Sequence, residues 1–138
     1  MATSRASTPY SAETRGVVVR VRPYFLPDQS SPEERQWVWA YAVEIENKGE
    51  DTVRLVSRHW IITDALGRVE EVQGDGVVGE QPTLKPGETF RYTSGCPLQT
   101  PSGVMAGAYH MVTALGDAFE AEIPPFSLDL PGAARVVN

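Results

Sequence analysis

The sequence predicts an all-β fold, a sandwich of immunoglobulin-like architecture with about seven to eight antiparallel strands. Apolar residues alternate with polar ones at period two in run after run. Turn-forming residues break those runs every ten residues or so. No stretch carries apolar residues at helical spacing for roughly ten residues, the length a stable core helix needs.

Taken in order, the elements justify themselves. Val17, Val19 and Val21 alternate with Val18, Arg20 and Arg22, so the first set faces a core and the second lies nearer water. Pro27, Asp28, Ser30, Ser31 and Pro32 form a long loop, with one helical turn over Pro32-Glu33-Glu34-Arg35. Trp37, Trp39, Tyr41, Val43 and Ile45 then form an inward face against Val38, Ala40, Ala42, Glu44 and Glu46. Asn47-Lys48-Gly49 reads as a turn whose glycine supplies a positive φ. Val53 and Leu55 share one parity, and Trp60 and Ile62 the other. A β-bulge or bend near Ser57–His59 accounts for the switch. Leu66-Gly67-Arg68 closes a hairpin between Trp60–Ala65 and Val69–Gln73. Alternation stops at Gln73 and resumes at Thr89, after the turn Lys85-Pro86-Gly87-Glu88, so the chain between reads as a long exposed loop. Leu115-Gly116-Asp117 joins Met105–Ala114 to a last strand in which Phe119, Ala121 and Ile123 face inward against Glu120 and Glu122.

The 138 residues make one domain over 13–131, with a flexible N-terminal arm over 1–12 and a tail over 132–138. Acidic residues outnumber basic ones, and the net charge of −6 argues against nucleic acid and against an anionic membrane surface. Cys96 is the only cysteine, so no internal disulfide points to an oxidising compartment. No apolar stretch approaches the ~20 residues that span a bilayer, and Met1–Ser11 holds no apolar export core. The expected location is the cytoplasm.

The chemistry-bearing candidates are few. Gly74-Asp75-Gly76-Val77-Val78-Gly79 matches the letters G-x-G-x-x-G, but Pro82 and Pro86 follow instead of a helix, and no βαβ unit surrounds it. Ordinary dinucleotide binding is therefore not expected. The loop remains a candidate recognition segment. Its backbone amides can form an anion-binding concavity, with Arg68, Lys85 and Arg91 as neighbouring donors and Asp75 and Glu80 opposing. A purely structural loop is the competing reading. Trp60, beside His59 at the parity switch, is a candidate exposed anchor for a partner. His59, His110 and Cys96 lack metal-ligand spacing, so neither a metal nor another cofactor is expected, and whether the two histidines meet is left open. Nothing around Cys96 promises a thiolate, no Gly-x-Ser-x-Gly elbow is present, and Glu44/Glu46 and Glu120/Glu122 read as solvated strand faces. No catalytic constellation emerges, so an enzyme is not expected.

A longer pattern runs from Arg58 to Tyr109. It reads Arg58-His59-Trp60-Ile61-Ile62-Thr63-Asp64-Ala65, then Gly74 to Pro82, then Leu84-Lys85-Pro86-Gly87-Glu88-Thr89-Phe90 and Tyr92-Thr93-Ser94-Gly95. It closes on Leu98-Gln99-Thr100-Pro101, Gly103, Met105, Gly107 and Tyr109. This pattern resembles the bacterial ApaG family, and the similarity extends from about Thr14 to Leu130. The resemblance implies a fibronectin type III-like sandwich. It also implies kinship with a domain of some eukaryotic F-box proteins and of a polymerase-delta-interacting protein, where it serves as an interaction module. The family is associated by name with cobalt and magnesium efflux and with diadenosine tetraphosphate metabolism. The expectation is a non-enzymatic module that binds a protein partner, linked to divalent-cation homeostasis. The alternative is nucleotide or phosphate binding through the 74–79 loop, linked to dinucleoside polyphosphate metabolism.

Overall fold

The computed structural model describes residues 9–131 of the chain. The β-branched and aromatic runs become nine strands: β1 (Tyr10–Thr14), β2 (Val17–Phe25), β3 (Trp37–Asn47), β4 (Val53–Asp64), β5 (Val69–Asp75), β6 (Thr83–Leu84), β7 (Thr89–Leu98), β8 (Gly103–Thr113) and β9 (Ala118–Leu128). Two antiparallel sheets face each other, one in the order β1-β2-β3-β7 and the other in the order β5-β4-β8-β9. The two-residue β6 extends the second sheet by pairing with the start of β4. Two single 3₁₀ turns, Pro27–Gln29 and Pro32–Glu34, occupy the proline-rich loop. No helix of the described residues is long and apolar enough to cross a membrane.

Two strands were not legible beforehand. β1 lies where a flexible arm over 1–12 is expected, yet Tyr10 to Ala12 pair with Val21 to Val19 of β2. Its side chains are mostly exposed, so it lacks the alternation that marks a strand. Residues 1–8 of that arm and the tail over 132–138 lie outside the described residues. β6 is too short to show any period.

The core lies between the sheets, where the alternation puts it. Val17, Val19, Val21, Trp39, Tyr41, Val43 and Ile45 from one sheet meet Val53, Leu55, Trp60, Ile62, Met105, Tyr109, Ala121 and Ile123 from the other. Val18, expected on the outer face, is also buried; its cross-strand neighbours are Glu13 on one side and Glu46 on the other. Gly49 does not take the positive φ expected of it. It instead lets the backbone of Gly16, at φ 85°, approach so closely that a Cβ on Gly16 would sit 2.8 Å from the Gly49 Cα. Buried Asn47 fixes this corner. Its side-chain nitrogen donates to the carbonyls of Asp51 (2.8 Å) and Leu84 (2.9 Å), and its oxygen accepts from the Gly49 amide (3.0 Å).

The parity switch in β4 is a bulge. Leu55 pairs with Met111 and Ser57 with His110, so Val56 has no partner in β8, one residue before the segment expected to bend. Beyond it, Arg58, Trp60 and Ile62 face the interior, while Ser57, His59 and Ile61 face outward. Trp60 is therefore not an exposed anchor. It is 3% exposed and packs edge-on against Tyr41, Tyr109 and Phe126, with ring centroids 5.3, 6.4 and 5.9 Å away. The bulge precedes it, so the tryptophan falls on the core side.

The sandwich is closed on one side, where β1 and β2 pack against β9. There the Glu122 amide donates to the Thr14 hydroxyl at 3.1 Å. On the other side β5 and β7 each end their sheet, with no further paired strand among the described residues.

Candidate functional site: the open side of the sandwich

Between β5 and β7 lies a cavity of about 360 Å³. Tyr41, Trp60 and Met105 line it from the core, Val72 from β5, and Ser94 to Pro97 from β7. Arg58, Tyr92, Val77 and Val78 line it as well. A second depression of about 510 Å³ shares Ile62, Glu70 and Pro97 with it and reaches Arg35 and Arg68. A concave site with mostly apolar walls and a few convergent polar groups is the usual form of a binding pocket.

Arg58 supplies the charge. The bulge turns it inward on the same parity as Trp60. Its Nη1 donates to the carbonyls of Asp75 (3.1 Å) and Gly76 (2.9 Å). The guanidinium covers Gly74, where a Cβ would lie 2.9 Å from both terminal nitrogens. A side chain at position 74 would displace it. Three tyrosine hydroxyls feel this cation. Tyr92 and Tyr109 share a short hydrogen bond, and Tyr41 lies opposite Ser94 across the β3–β7 ladder. Burial pushes all three phenols above their ordinary pKa, and the Arg58 charge opposes that rise in each. Cys96 also lines the cavity. Burial, helped by the negative charge of Glu70, pushes its thiol up to about 11, so it stays protonated and unreactive near neutral pH.

The segment expected to be one long loop is built from shorter pieces. β5 continues through Gly74 and Asp75, which pair with Arg58 and Ser57. Val77 and Glu80 then bond each other in both directions, N–H to carbonyl, at 2.8 Å. Val78 (φ 42°) and Gly79 (φ 83°) lie between them, both in the left-handed region. That is the φ signature of the two-residue type I′ hairpin turn, which strongly favours Asn-Gly. The two valines differ accordingly: Val77 is 1% exposed and belongs to the core, and Val78 is 56% exposed at the cavity rim. The amides of Gly76, Val77 and Glu80 are all engaged with carbonyls. Arg68 does not adjoin this segment. It sits at the opposite end of the β4–β5 ladder, its Nε 2.8 Å from an Asp64 oxygen. Arg91 is likewise held elsewhere, by Glu44 at 2.8 Å.

The structure brings the two histidines onto one outer face. His110 pairs with Ser57 in register, two residues from His59, and both line a shallow depression. Each has its own carboxylate: Glu71 at 2.9 Å from His59 and Glu120 at 3.4 Å from His110. No group of three or more His, Cys, Asp or Glu among the described residues is placed to hold a metal ion. Glu44 and Glu46 join Arg20, at 3.3 and 3.0 Å, in an ion-pair network rather than an acid–base pair. The hydrogen bond from Arg91 leads the causes that lower the Glu44 carboxyl pKa.

Arg58 is the residue that residue-by-residue reasoning missed. The signal was a basic residue at the parity of Trp60 and Ile62, on a face otherwise apolar.

Known proteins place the fold in a family. Residues 27–113 match the family described as the ApaG domain. Protein ApaG of Caulobacter vibrioides is 59% identical over 132 residues, covering 96% of this chain and 94% of the relative. Protein ApaG of Rhodospirillum centenum is 65% identical over 122 residues, covering 88% and 94%. A crystal structure titled as an ApaA protein of Bordetella pertussis superposes with a TM-score of 0.82 at 53% identity, covering 84% of this chain and 94% of that one. This chain belongs to the ApaG family.

Proposed function

We propose that the chain is a non-catalytic binding module that takes a protein partner on its open side. One observation carries this reading: two strand edges, β5 and β7, flank a concave and largely apolar cavity. An extended peptide is recognised in this way, its backbone pairing with a free edge and its alternate side chains entering pockets. The exposed Val78 on the cavity rim supports the same reading. The absence of catalysis is supported by what lines the cavity: a protonated thiol, and a Tyr92 hydroxyl bonded to Tyr109 behind it. A link to cobalt and magnesium homeostasis would run through the partner, since the described residues bring together no ligand group of their own. Phosphate or dinucleoside polyphosphate binding by the 74–79 loop has less support, because its amides at Gly76 and Val77 already have carbonyl partners.

The test compares quantitative affinity capture by the wild-type chain, by Val78→Lys on the rim, and by Glu122→Lys on β9. With all three folded by melting, partners should be lost from the Val78 variant and retained by the Glu122 variant. Equal capture by all three would place the binding surface elsewhere. Turnover of a dinucleoside polyphosphate under saturating divalent metal would overturn the non-catalytic reading.

A further inference from the structure

Arg58 is a half-buried cation without an ionic partner among the described residues. None of the described ion pairs includes it, and its bonds run only from Nη1 to two carbonyls. Carbonyls supply dipoles and no net charge, so the guanidinium is partly desolvated without being neutralised. No buried side-chain nitrogen among the described residues lacks a hydrogen-bond partner, so Nη2 and Nε open onto the cavity or solvent. A planar guanidinium presenting two donors matches a carboxylate geometrically.

We propose that this cavity recognises a carboxylate carried on an apolar body, with Arg58 as its counter-ion. The inference rests on the open side being the binding site, and it names the group that enters. The apolar body lies against Trp60, Val72, Val77 and Met105, the carboxylate on Arg58. Charge selects a monoanion. Arg58 is the cavity's one basic residue, so a dianionic phosphate would be left half-neutralised. Glu70 marks the other end of the lining. It pairs with Ile62, whereas Arg58 pairs with Gly74. Glu70 and Gly74 are four positions apart on β5, about 13 Å of backbone at strand rise. Glu70 and Arg58 form no ion pair among the described residues, and Glu70 repels a second acidic group on the occupant. The same carboxylate chemistry comes from two sources, the C-terminus of a partner chain or a free small acid.

Four probes separate the possibilities by calorimetry: 3-phenylpropionate, its amide, a short peptide ending in a free Phe carboxylate, and the same peptide amidated. At least one acid should bind saturably, and its amide about tenfold more weakly or worse, as expected when a charge-assisted bond is lost. Binding of the peptide acid alone identifies a chain terminus, and binding of the free acid as well identifies a small-molecule site; either outcome supports the proposal. Arg58→Gln should reduce the acid to the affinity of its amide, with Arg58→Lys intermediate. Because Arg58 also ties down the 75–76 carbonyls, nitrogen-detected resonance of the wild-type Arg58 guanidinium and the Trp60 indole provides a readout that needs no variant. Both should shift with acid and not with amide. The proposal is overturned if no probe saturates, if acid and amide bind equally, or if the shifts map elsewhere. Should it fail while Val78→Lys still abolishes partner capture, the open side remains the binding surface and only its chemistry is wrong.

Discussion

Val78→Asn should make the protein more stable. Val78 occupies the first central position of a two-residue hairpin turn at φ 42°, with Gly79 at φ 83° in the second. A β-branched residue in this region carries about 1–2 kcal/mol of backbone strain, whereas asparagine tolerates it and gives the favoured Asn-Gly pair. Against this stands lost apolar contact. Val78 is 56% exposed, so less than half of its side chain is covered. Full burial of a valine is worth about 1.5 kcal/mol, which puts the loss near 0.7 kcal/mol. The net gain is roughly 0.5–1 kcal/mol, or a rise in Tm of about 2–4 °C for a domain of this size. Urea and thermal melts at neutral pH decide the matter. A fall in Tm of similar size would refute the assignment of strain at Val78 and the view that its side chain faces outward. If valine is kept there for contact with a partner, the same substitution should weaken partner capture while the fold gains stability.

Three further outcomes follow from the geometry. Val77→Ser should destabilise by about 2–4 kcal/mol in urea melts, because it leaves a void and buries a hydroxyl, and a change as small as that of Val78→Ser would contradict the burial of Val77. Tyr41→Ala should cost about 3 kcal/mol or more, and Glu44→Ala about 1 kcal/mol or less, since Glu44 loses only a half-exposed ion-pair network; equal costs would refute the register of β3. Cys96 and the three buried tyrosines have folded pKa values above their unfolded ones, so their protonated forms are favoured in the native state. Their contribution is complete below the unfolded pKa, and stability should fall as pH rises through about 9 to 11, where Cys96 is the first to titrate on unfolding. A flat denaturation midpoint across that window would show that the thiol and phenols are more accessible than described.

How far the sequence was readable depended on how each side chain is used. Trp39, Tyr41, Val43 and Ile45 were legible because one face of β3 is buried along its length, and burial on one face writes period two into the chain. β1 was hidden because Tyr10 to Glu13 pair by backbone with little burial, and backbone pairing leaves no such mark. The 74–79 segment drew notice for its glycines, but those letters record positive φ at Gly76 and Gly79 and close cover by Arg58 at Gly74, none of which singles out a ligand. Arg58 was passed over because the bulge falls one residue earlier than expected, which puts residue 58 beyond the switch and turns it inward. Trp60 was placed wrongly for another reason: a switch anywhere between Leu55 and Trp60 leaves it on the core side with Ile62, and its place beside His59 carried no information about exposure.

Val56, the extra residue of the β4 bulge, reaches beyond its own side chain. It lets Leu55 and Arg58, which differ in parity, face the same side. Deleting it would set Leu55 beside Ser57 opposite Met111 and His110, an unbroken ladder in which Arg58, Trp60 and Ile62 still face the core. The loss would fall elsewhere. The Val56 carbonyl accepts from the Gly76 amide and from the Gln81 side-chain nitrogen, both at 2.8 Å. The bulge thus anchors the turn that carries Val77 and Val78 to the cavity, and a deletion at residue 56 should loosen that wall while leaving the aromatic core in register.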